Sequence, residues 1–283
     1  MNVYEIVTSR IIDQLEQETI PWRKPWVGVQ AGAFNRISQK PYSLLNQMLL
    51  SREGDYATFR QWSSLGGHVK KGAKAEIVVF WKMLEQKAPA DEDTPAKKRP
   101  ILRYYNVFHI SDVEGVSPLS AGSLYDTDPL ANAQAIFDKY VNREHIKTEV
   151  SLSNRAFYSP ARDLIHLPEI RQYENAPDYY AVAFHEATHS TGHHGRLSRF
   201  TENTPISPFG SLDYSKEELV AELGSAAILN MLGLETSETF ENSAAYIQNW
   251  IGVLKNDNRF IVSASAKADK AVHFIMGEEL DAA

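Results

Sequence analysis

The chain has 283 residues, of which 43% are hydrophobic and 23% charged, and its net charge is −7. This length predicts about two domains of ordinary globular composition. Because cysteine is absent, disulfides, thiolate metal ligands and a cysteine nucleophile are excluded. No apolar run approaches the roughly 20 residues of a membrane-spanning helix, and the N-terminus lacks a signal-peptide core. We therefore expect a soluble cytoplasmic protein without a membrane partner.

The two parts of the chain differ in charge and aromatic content. Residues 1–115 hold 16 basic and 13 acidic residues, whereas the remainder holds 13 basic and 23 acidic. Four of the five tryptophans also lie in the first part. Residues 116–130 contain proline, glycine and serine, as interdomain linkers do. We predict a first domain at 1–115, a linker at 116–130 and a second domain at 131–283.

The first domain is predicted to be α+β. An opening amphipathic helix is followed by an extended PWRKPW segment, two short helices, and two strands joined by a polar loop at 86–99. The two strands predict a small antiparallel sheet. The predicted helices and strands are Val3–Gln17, Pro41–Leu50, Thr58–Leu65, Ala75–Leu84 and Ile101–Ile110.

The second domain is predicted to be mostly helical, so the fold class of the whole chain is α+β. Two short strands within Phe157–Leu167 interrupt the helices. The predicted helices are Ala131–Val141, Tyr179–His189, Ser215–Leu232, Ala244–Leu254 and a last one from about Arg259 to Met276.

A metal motif, H-E-x-x-H, lies on the helix Tyr179–His189. Residues four apart share one face of a helix, so His185 and His189 present two imidazoles to one point. Glu186 is placed to act as general base on a water held there by the metal. The motif predicts a catalytic metal site.

The third ligand has to come from elsewhere in the chain. A metzincin would place a histidine at position 195, but that residue is Gly195, and His193 and His194 are out of register. Glu218 and Glu222 are four apart on the next helix and therefore share a face. Either carboxylate is a candidate, although Glu218 also fits a helix-capping role.

This arrangement resembles the gluzincin metallopeptidases such as thermolysin, which pair H-E-x-x-H with an E-x-x-x-D helix. Here Glu218-x-x-x-Glu222 has glutamate in place of the aspartate. The resemblance implies one Zn²⁺ per chain, with Glu218 as third ligand and Glu222 orienting a ligand histidine. Glu222 as the ligand is the alternative.

Longer segments resemble a known family. PWRKPW, PYSLLN, TFRQWSSLGGHVKKGAKAEIVVFW and YYNVFHISDVEG resemble the single-stranded-DNA-binding domain of ArdC-type antirestriction proteins. AFYSPARDLIHLP, FHEATHSTGHHGRLSR, FGSLDYSKEELVAELGSAAI and AAYIQNWIGVLKNDNRFIVSASAKADKA resemble that family's zincin-like metallopeptidase domain. The resemblance implies a protein of mobile genetic elements that binds single-stranded DNA.

Basic and aromatic residues of the first domain are candidates for that DNA contact. Lysines on a glycine turn suit phosphates, and tryptophans suit base stacking, although those of PWRKPW would equally serve a small core. The candidates are Lys70, Lys71, Lys74, Arg60, Trp62, Trp22 and Trp26.

Two functions remain open from the sequence. One is a zinc metallopeptidase that acts on DNA-associated proteins or on itself. The other is a non-catalytic coat for single-stranded DNA in which zinc is only structural.

Overall fold

The computed structural model describes residues 2–17, 32–85, 98–119, 129–173, 175–200, 212–234 and 244–278. The chain divides into two compact units, Met1–Ile11 with Gly32–Ser120 and Ile12–Ala31 with Ala121–Ala283. Within the described residues, no helix combines the length and hydropathy that crossing a bilayer requires.

The first unit is built around a small sheet. Its elements are α1 (Val3–Glu16, of which residues 3–11 belong to this unit), β1 (Ala33–Asn35), α2 (Leu44–Leu49), β2 (Gly54–Ala57), α3 (Phe59–Ser64), β3 (His68–Val69), β4 (Glu76–Glu85), β5 (Lys98–His109) and β6 (Val113–Glu114). The predicted helices and the β4–β5 pair are confirmed to within a few residues.

The sheet of the first unit is mixed rather than antiparallel. Its strand order is β1-β2-β5-β4, and β1 and β2 run parallel, which corrects the predicted antiparallel sheet. Strands of three and four residues are too short to show a period in the sequence. The sheet encloses a core that includes Tyr56, Val78 and Val107.

In the part of the chain that the structure describes, the second unit has five α-helices and a three-stranded sheet, with α5 packed against β8 and β9. Its mixed α/β character agrees with the predicted fold class. The elements are α4 (Pro129–Arg143), β7 (Lys147–Ser151), β8 (Phe157–Ser159), β9 (Leu164–Pro168), α5 (Ala176–Thr191), α6 (Leu212–Leu232), α7 (Ala244–Asn256) and α8 (Phe260–Met276). The strand order is β7-β9-β8, with β9 parallel to β7 and antiparallel to β8. The β8–β9 pair and all five helices were predicted; β7 was not.

The core of the second unit is continuous with the inner face of α5. Val182, Ala183 and Phe184 are buried among residues of α4, the sheet, α6 and α8. This burial fixes the rotation of α5 about its axis, and so it fixes the direction in which the H-E-x-x-H side chains point.

Candidate metal centre

Local signals set both ends of α5. The Asn175 side chain accepts a hydrogen bond from the Asp178 amide at 3.0 Å, as a helix N-cap does. Proline stands in the first turn, and the helix ends at Thr191, where the Gly192 amide donates to the His189 carbonyl at 2.8 Å. The motif therefore occupies the last two turns of a capped helix.

Helix α6 approaches α5 closely behind the motif. A Cβ built on Gly224 would lie 2.7 Å from the Thr188 side chain, so only glycine permits this packing. One residue later, the Ser225 hydroxyl donates to the Ala181 carbonyl at 2.7 Å. The contact brings the carboxylates of α6 opposite the histidines of α5.

We expect Gly224→Ala to lower the free energy of unfolding by about 1–3 kcal/mol, because the added methyl overpacks the helix contact. It should also weaken metal binding, since α6 carries the facing carboxylates. Thermal unfolding and metal titration measure the two effects. Gly252→Ala on α7 is the matched control, because a Cβ there meets nothing within 4 Å. An equal response of the two variants would contradict the packing argument.

Three ligand atoms converge between α5 and α6. The Nε2 atoms of His185 and His189 are 3.2 Å apart. The two carboxylate oxygens of Glu218 lie 3.6 Å and 3.4 Å from them, respectively. Ligands about 2.1 Å from a tetrahedral ion lie roughly 3.4 Å from one another, so the donor set fits a divalent ion such as Zn²⁺. Within the described residues, this is the one group of three or more such side chains spaced to hold a metal.

The far side of each imidazole faces a different carboxylate. Nδ1 of His185 is 3.7 Å from Glu222, and Nδ1 of His189 is 3.4 Å from Glu217. Both Nδ1 atoms are buried and lack a hydrogen bond of standard geometry. Metal-binding histidines usually direct their second nitrogen to a carboxylate, which fixes the tautomer. The two Nδ1 positions are consistent with Nε2 as the ligand atom of both rings.

The carboxylates and imidazoles of the cluster stabilise one another's charged forms. Burial lowers the pKa of His185, but the carboxylates of Glu218 and Glu222 raise it by more, so this pKa lies well above its usual value. The pKa of His189 is also raised, because Glu217 and Glu218 outweigh burial. Burial raises the pKa of Glu218, but contact with the two imidazoles lowers it by more. The pKa therefore lies below its usual value, and the carboxylate stays ionised.

Metal binding near pH 7 should therefore release at least one proton per ion. An imidazole must be neutral to bind a metal, and the raised pKa of His185 and His189 keeps at least one of the two rings protonated in the metal-free protein. The affinity should be highest above that pKa and fall as the pH drops through it. Calorimetry in two buffers of different protonation enthalpy measures the proton count. Identical heats in both buffers would contradict the prediction.

Two residues beside the site were missed from the sequence. The Arg199 guanidinium donates to both carboxylate oxygens of Glu217, at 2.7 Å from Nη2 and 3.1 Å from Nε. It also donates to the Thr188 carbonyl and the Thr191 hydroxyl, each at 2.8 Å. Arg199 therefore fixes the carboxylate that faces His189. The sequence offered one signal for Glu217. It is adjacent to Glu218, and consecutive residues of a helix point to different sides, so the two carboxylates cannot have the same role.

We expect Arg199→Gln to weaken metal affinity by about 10- to 100-fold, the usual effect of losing a group that supports a metal ligand. The loss of two charged hydrogen bonds leaves Glu217 free to turn away from His189. Competition with a fluorescent chelator measures the affinity. Arg162→Gln is the control, because Arg162 is largely exposed and pairs with Glu149 on the surface. Unchanged affinity in Arg199→Gln would remove this residue from the site.

Glu186 is buried next to the two histidines. Its side chain is 7% exposed, and its charge raises the pKa of both His185 and His189. His193 and His194 lie beyond the end of α5 with ring centroids 4.1 Å apart, and they do not belong to the metal cluster. This placement agrees with the sequence, in which His193 and His194 do not stand at the position of the third metzincin histidine.

The residues predicted to contact DNA differ in their exposure to solvent. Trp62 is fully buried, its Nε1 donates to the Phe108 carbonyl at 2.9 Å, and the Arg36 guanidinium covers its ring. It therefore has no face for a base, and its prediction as a stacking residue is wrong. The basic residues are exposed and can meet phosphate; these are Arg60, Lys70, Lys71 and Lys74. Trp22 and Trp26 lie outside the described residues.

Comparisons with known proteins identify a family for each half of the chain. A family described as a zincin-like metallopeptidase matches residues 135–267. Another, described as the N-terminal domain of anti-restriction factor ArdC, matches residues 1–108. The crystal structure of antirestriction ArdC protein from plasmid R388 is 33% identical with a TM-score of 0.77; the metal-free form covers 99% of this chain and 100% of that one. Its Mn(II)-bound form has the same identity and TM-score.

Relatives by sequence are mostly longer. A DNA primase TraC of Escherichia coli is 32% identical over 98% of this chain, which spans 27% of the primase. A second TraC primase is 30% identical, and the chain spans 20% of it. Protein y4eC of Sinorhizobium fredii is 31% identical, with 99% of this chain and 94% of that protein covered. The zincin-like match and the Mn(II)-bound relative indicate a divalent metal at the α5–α6 site.

Proposed function

This chain belongs to the ArdC family of antirestriction proteins, and we propose that it is a zinc-dependent peptidase that also binds single-stranded DNA. Its substrate would be a protein associated with that DNA, or the chain itself. We further propose residues 1–115 as the DNA-binding domain, 116–130 as a linker and 131–283 as the peptidase domain, with the protein acting in the cytoplasm.

The α5–α6 centre is the observation that carries the proposal. Two imidazole nitrogens and a carboxylate meet at distances of 3.2–3.6 Å, which suits one Zn²⁺ per chain. Three protein ligands leave a fourth position open, as in catalytic rather than structural zinc sites. We assign His185, His189 and Glu218 as ligands, and Glu222 as the residue that orients His185.

When bound, the ion supplies Lewis acidity that polarises a carbonyl and makes water a better nucleophile. Glu186 is the proposed general base. Its carboxylate takes a proton from the attacking water and delivers it to the leaving amine. Glu186 follows His185 directly, and its charge raises the pKa of both ligand imidazoles, which supports this assignment.

The basic surface of the first unit supports DNA binding. Lys70, Lys71, Lys74 and Arg60 are exposed within the segment from α3 to β4 and would meet phosphates. Charge contacts of this kind carry no sequence preference.

Zinc content and peptidase activity test the proposal together. The full chain, purified without a metal column, should contain about one zinc per chain and cleave casein or itself when single-stranded DNA is present. His189→Ala should lose both zinc and cleavage but keep its affinity for an oligonucleotide. A zinc-containing wild type that binds the oligonucleotide without cleaving would favour the non-catalytic DNA coat. Wild type without zinc after resupply would refute the metal site.

A further inference from the structure

Strands β4 and β5 extend beyond the rest of their sheet. β5 pairs with β2 only at His109 and Phe108, whereas it pairs with β4 along ten residue pairs from Val107 to Lys98. The Asn46 side chain bonds to both backbone groups of Val79, which closes the edge of β4 near the core. We call the outer part, Phe80–Glu85 with Lys98–Tyr105, the arm.

The arm exposes large apolar side chains. A two-stranded ribbon has too little core to bury them, and exposed apolar clusters of this kind mark interaction sites. The side chains that are more than a third exposed are Phe80, Trp81, Met83, Leu84, Tyr104 and Tyr105.

The register divides the arm into two unlike faces. Residues directly opposite in an antiparallel pair share a face, and neighbours along a strand alternate. Phe80 pairs with Arg103, Lys82 with Ile101 and Leu84 with Arg99, and Tyr105 lies on this face opposite Val78. We call this the basic face. The opposite face carries Trp81, Met83 and Tyr104, and Trp81 lies 6.5 Å from the Tyr4 ring of α1.

The basic face places two aromatic rings at its inner end and three cations beside and beyond them. The Phe80 and Tyr105 rings pack edge to face with centroids 6.1 Å apart. Lys82, Arg99 and Arg103 are all exposed beside them. No aspartate or glutamate occurs in residues 80–84 or 99–105, so the face has a positive charge of three over a short distance.

We propose that the basic face of the arm is a base-stacking surface for single-stranded DNA. Stacked bases need exposed rings, and their phosphates need nearby cations; the basic face carries both, with Arg103 directly opposite Phe80. This inference rests on the proposed DNA binding, and it supplies the stacking residues that buried Trp62 cannot. The charge of the basic face identifies its occupant. A face with three cations and no acidic residue binds a polyanion better than it binds an apolar protein surface.

Adjacent tyrosines provide a matched test. Tyr105 lies on the basic face and Tyr104 on the other, with exposures of 41% and 46%. We expect Tyr105→Ala in the full chain to weaken binding of a fluorescent oligothymidine by about 5- to 150-fold, the effect of losing one base stack. Tyr104→Ala should bind like wild type. An equal loss in both variants, or a loss only in Tyr104→Ala, would overturn the proposal.

Salt dependence tests the cations separately. Each phosphate contact to single-stranded DNA contributes about 0.7 to the slope of log affinity against log salt. The double variant Lys82→Gln, Arg103→Gln should reduce that slope by roughly 1.4. Thermal unfolding of each variant checks that the fold persists.

The outcomes separate this inference from the function on which it rests. If wild type binds no oligothymidine, the proposed DNA binding fails with it. If wild type binds, and only reversal of Lys70, Lys71 and Lys74 to glutamate weakens the complex, then DNA binding stands and the arm is not its surface. If wild type binds and Tyr105→Ala alone among the tyrosine variants weakens it, the arm is the stacking surface.

Discussion

Replacing Glu186 by glutamine should lower peptide-bond cleavage by about 10²- to 10⁴-fold, the usual contribution of a general base. Glutamine has the same shape but cannot accept a proton, so in the proposed mechanism the attacking water would lose its base. Glu186 is not among the converging ligand atoms, which come from His185, His189 and Glu218. Zinc content should therefore stay at the wild-type value while activity falls.

The measurement is a cleavage rate with single-stranded DNA, paired with elemental analysis on the same preparation. Glu149→Gln is the matched control, because Glu149 is a half-exposed glutamate of the same domain on β7. Activity that persists in Glu186→Gln at the wild-type rate would remove Glu186 from the mechanism. Loss of zinc together with activity would show instead that the residue supports the site structurally.

Sequence reasoning succeeded where the signal is local. A helix places residues four apart on one face, so His185 with His189 and Glu218 with Glu222 were found from spacing alone. The long strands β4 and β5 show their β-branched and aromatic composition over ten or more residues. Such patterns need no knowledge of the partner element.

What sequence reasoning missed depends on contacts between distant segments. The Arg199–Glu217 pair joins residues 18 apart in the chain, and either one alone looks like a surface charge. Trp62 appeared to be a stacking residue because it lies beside Arg60 and near the lysines of a glycine turn, but its ring is buried on the short helix α3. The parallel pairing of β1 with β2 likewise depends on a register that no local pattern shows.

Glu218→Ala should abolish zinc binding, whereas Glu222→Gln should retain the ion with affinity weakened by about 10- to 100-fold. The geometry distinguishes the two carboxylates. Glu218 faces the Nε2 atoms of both histidines, which are 3.2 Å apart. Glu222 faces Nδ1 of His185, on the opposite side of the ring. A single ion cannot bind both nitrogens of one imidazole, so an ion between the two Nε2 atoms lies on the Glu218 side.

Elemental analysis after dialysis, followed by chelator competition, distinguishes a lost ligand from a weakened one. Far-UV circular dichroism and thermal unfolding of the metal-free proteins check that each variant folds. Zinc retained in Glu218→Ala but lost in Glu222→Gln would exchange the two roles and move the ion to the Nδ1 side of His185. Because Glu217 faces Nδ1 of His189 in the same way that Glu222 faces Nδ1 of His185, Glu217→Gln should behave like Glu222→Gln. If Glu217→Gln and Glu222→Gln only weaken zinc binding and Glu218→Ala abolishes it, the three variants of one helix identify Glu218 as the third ligand.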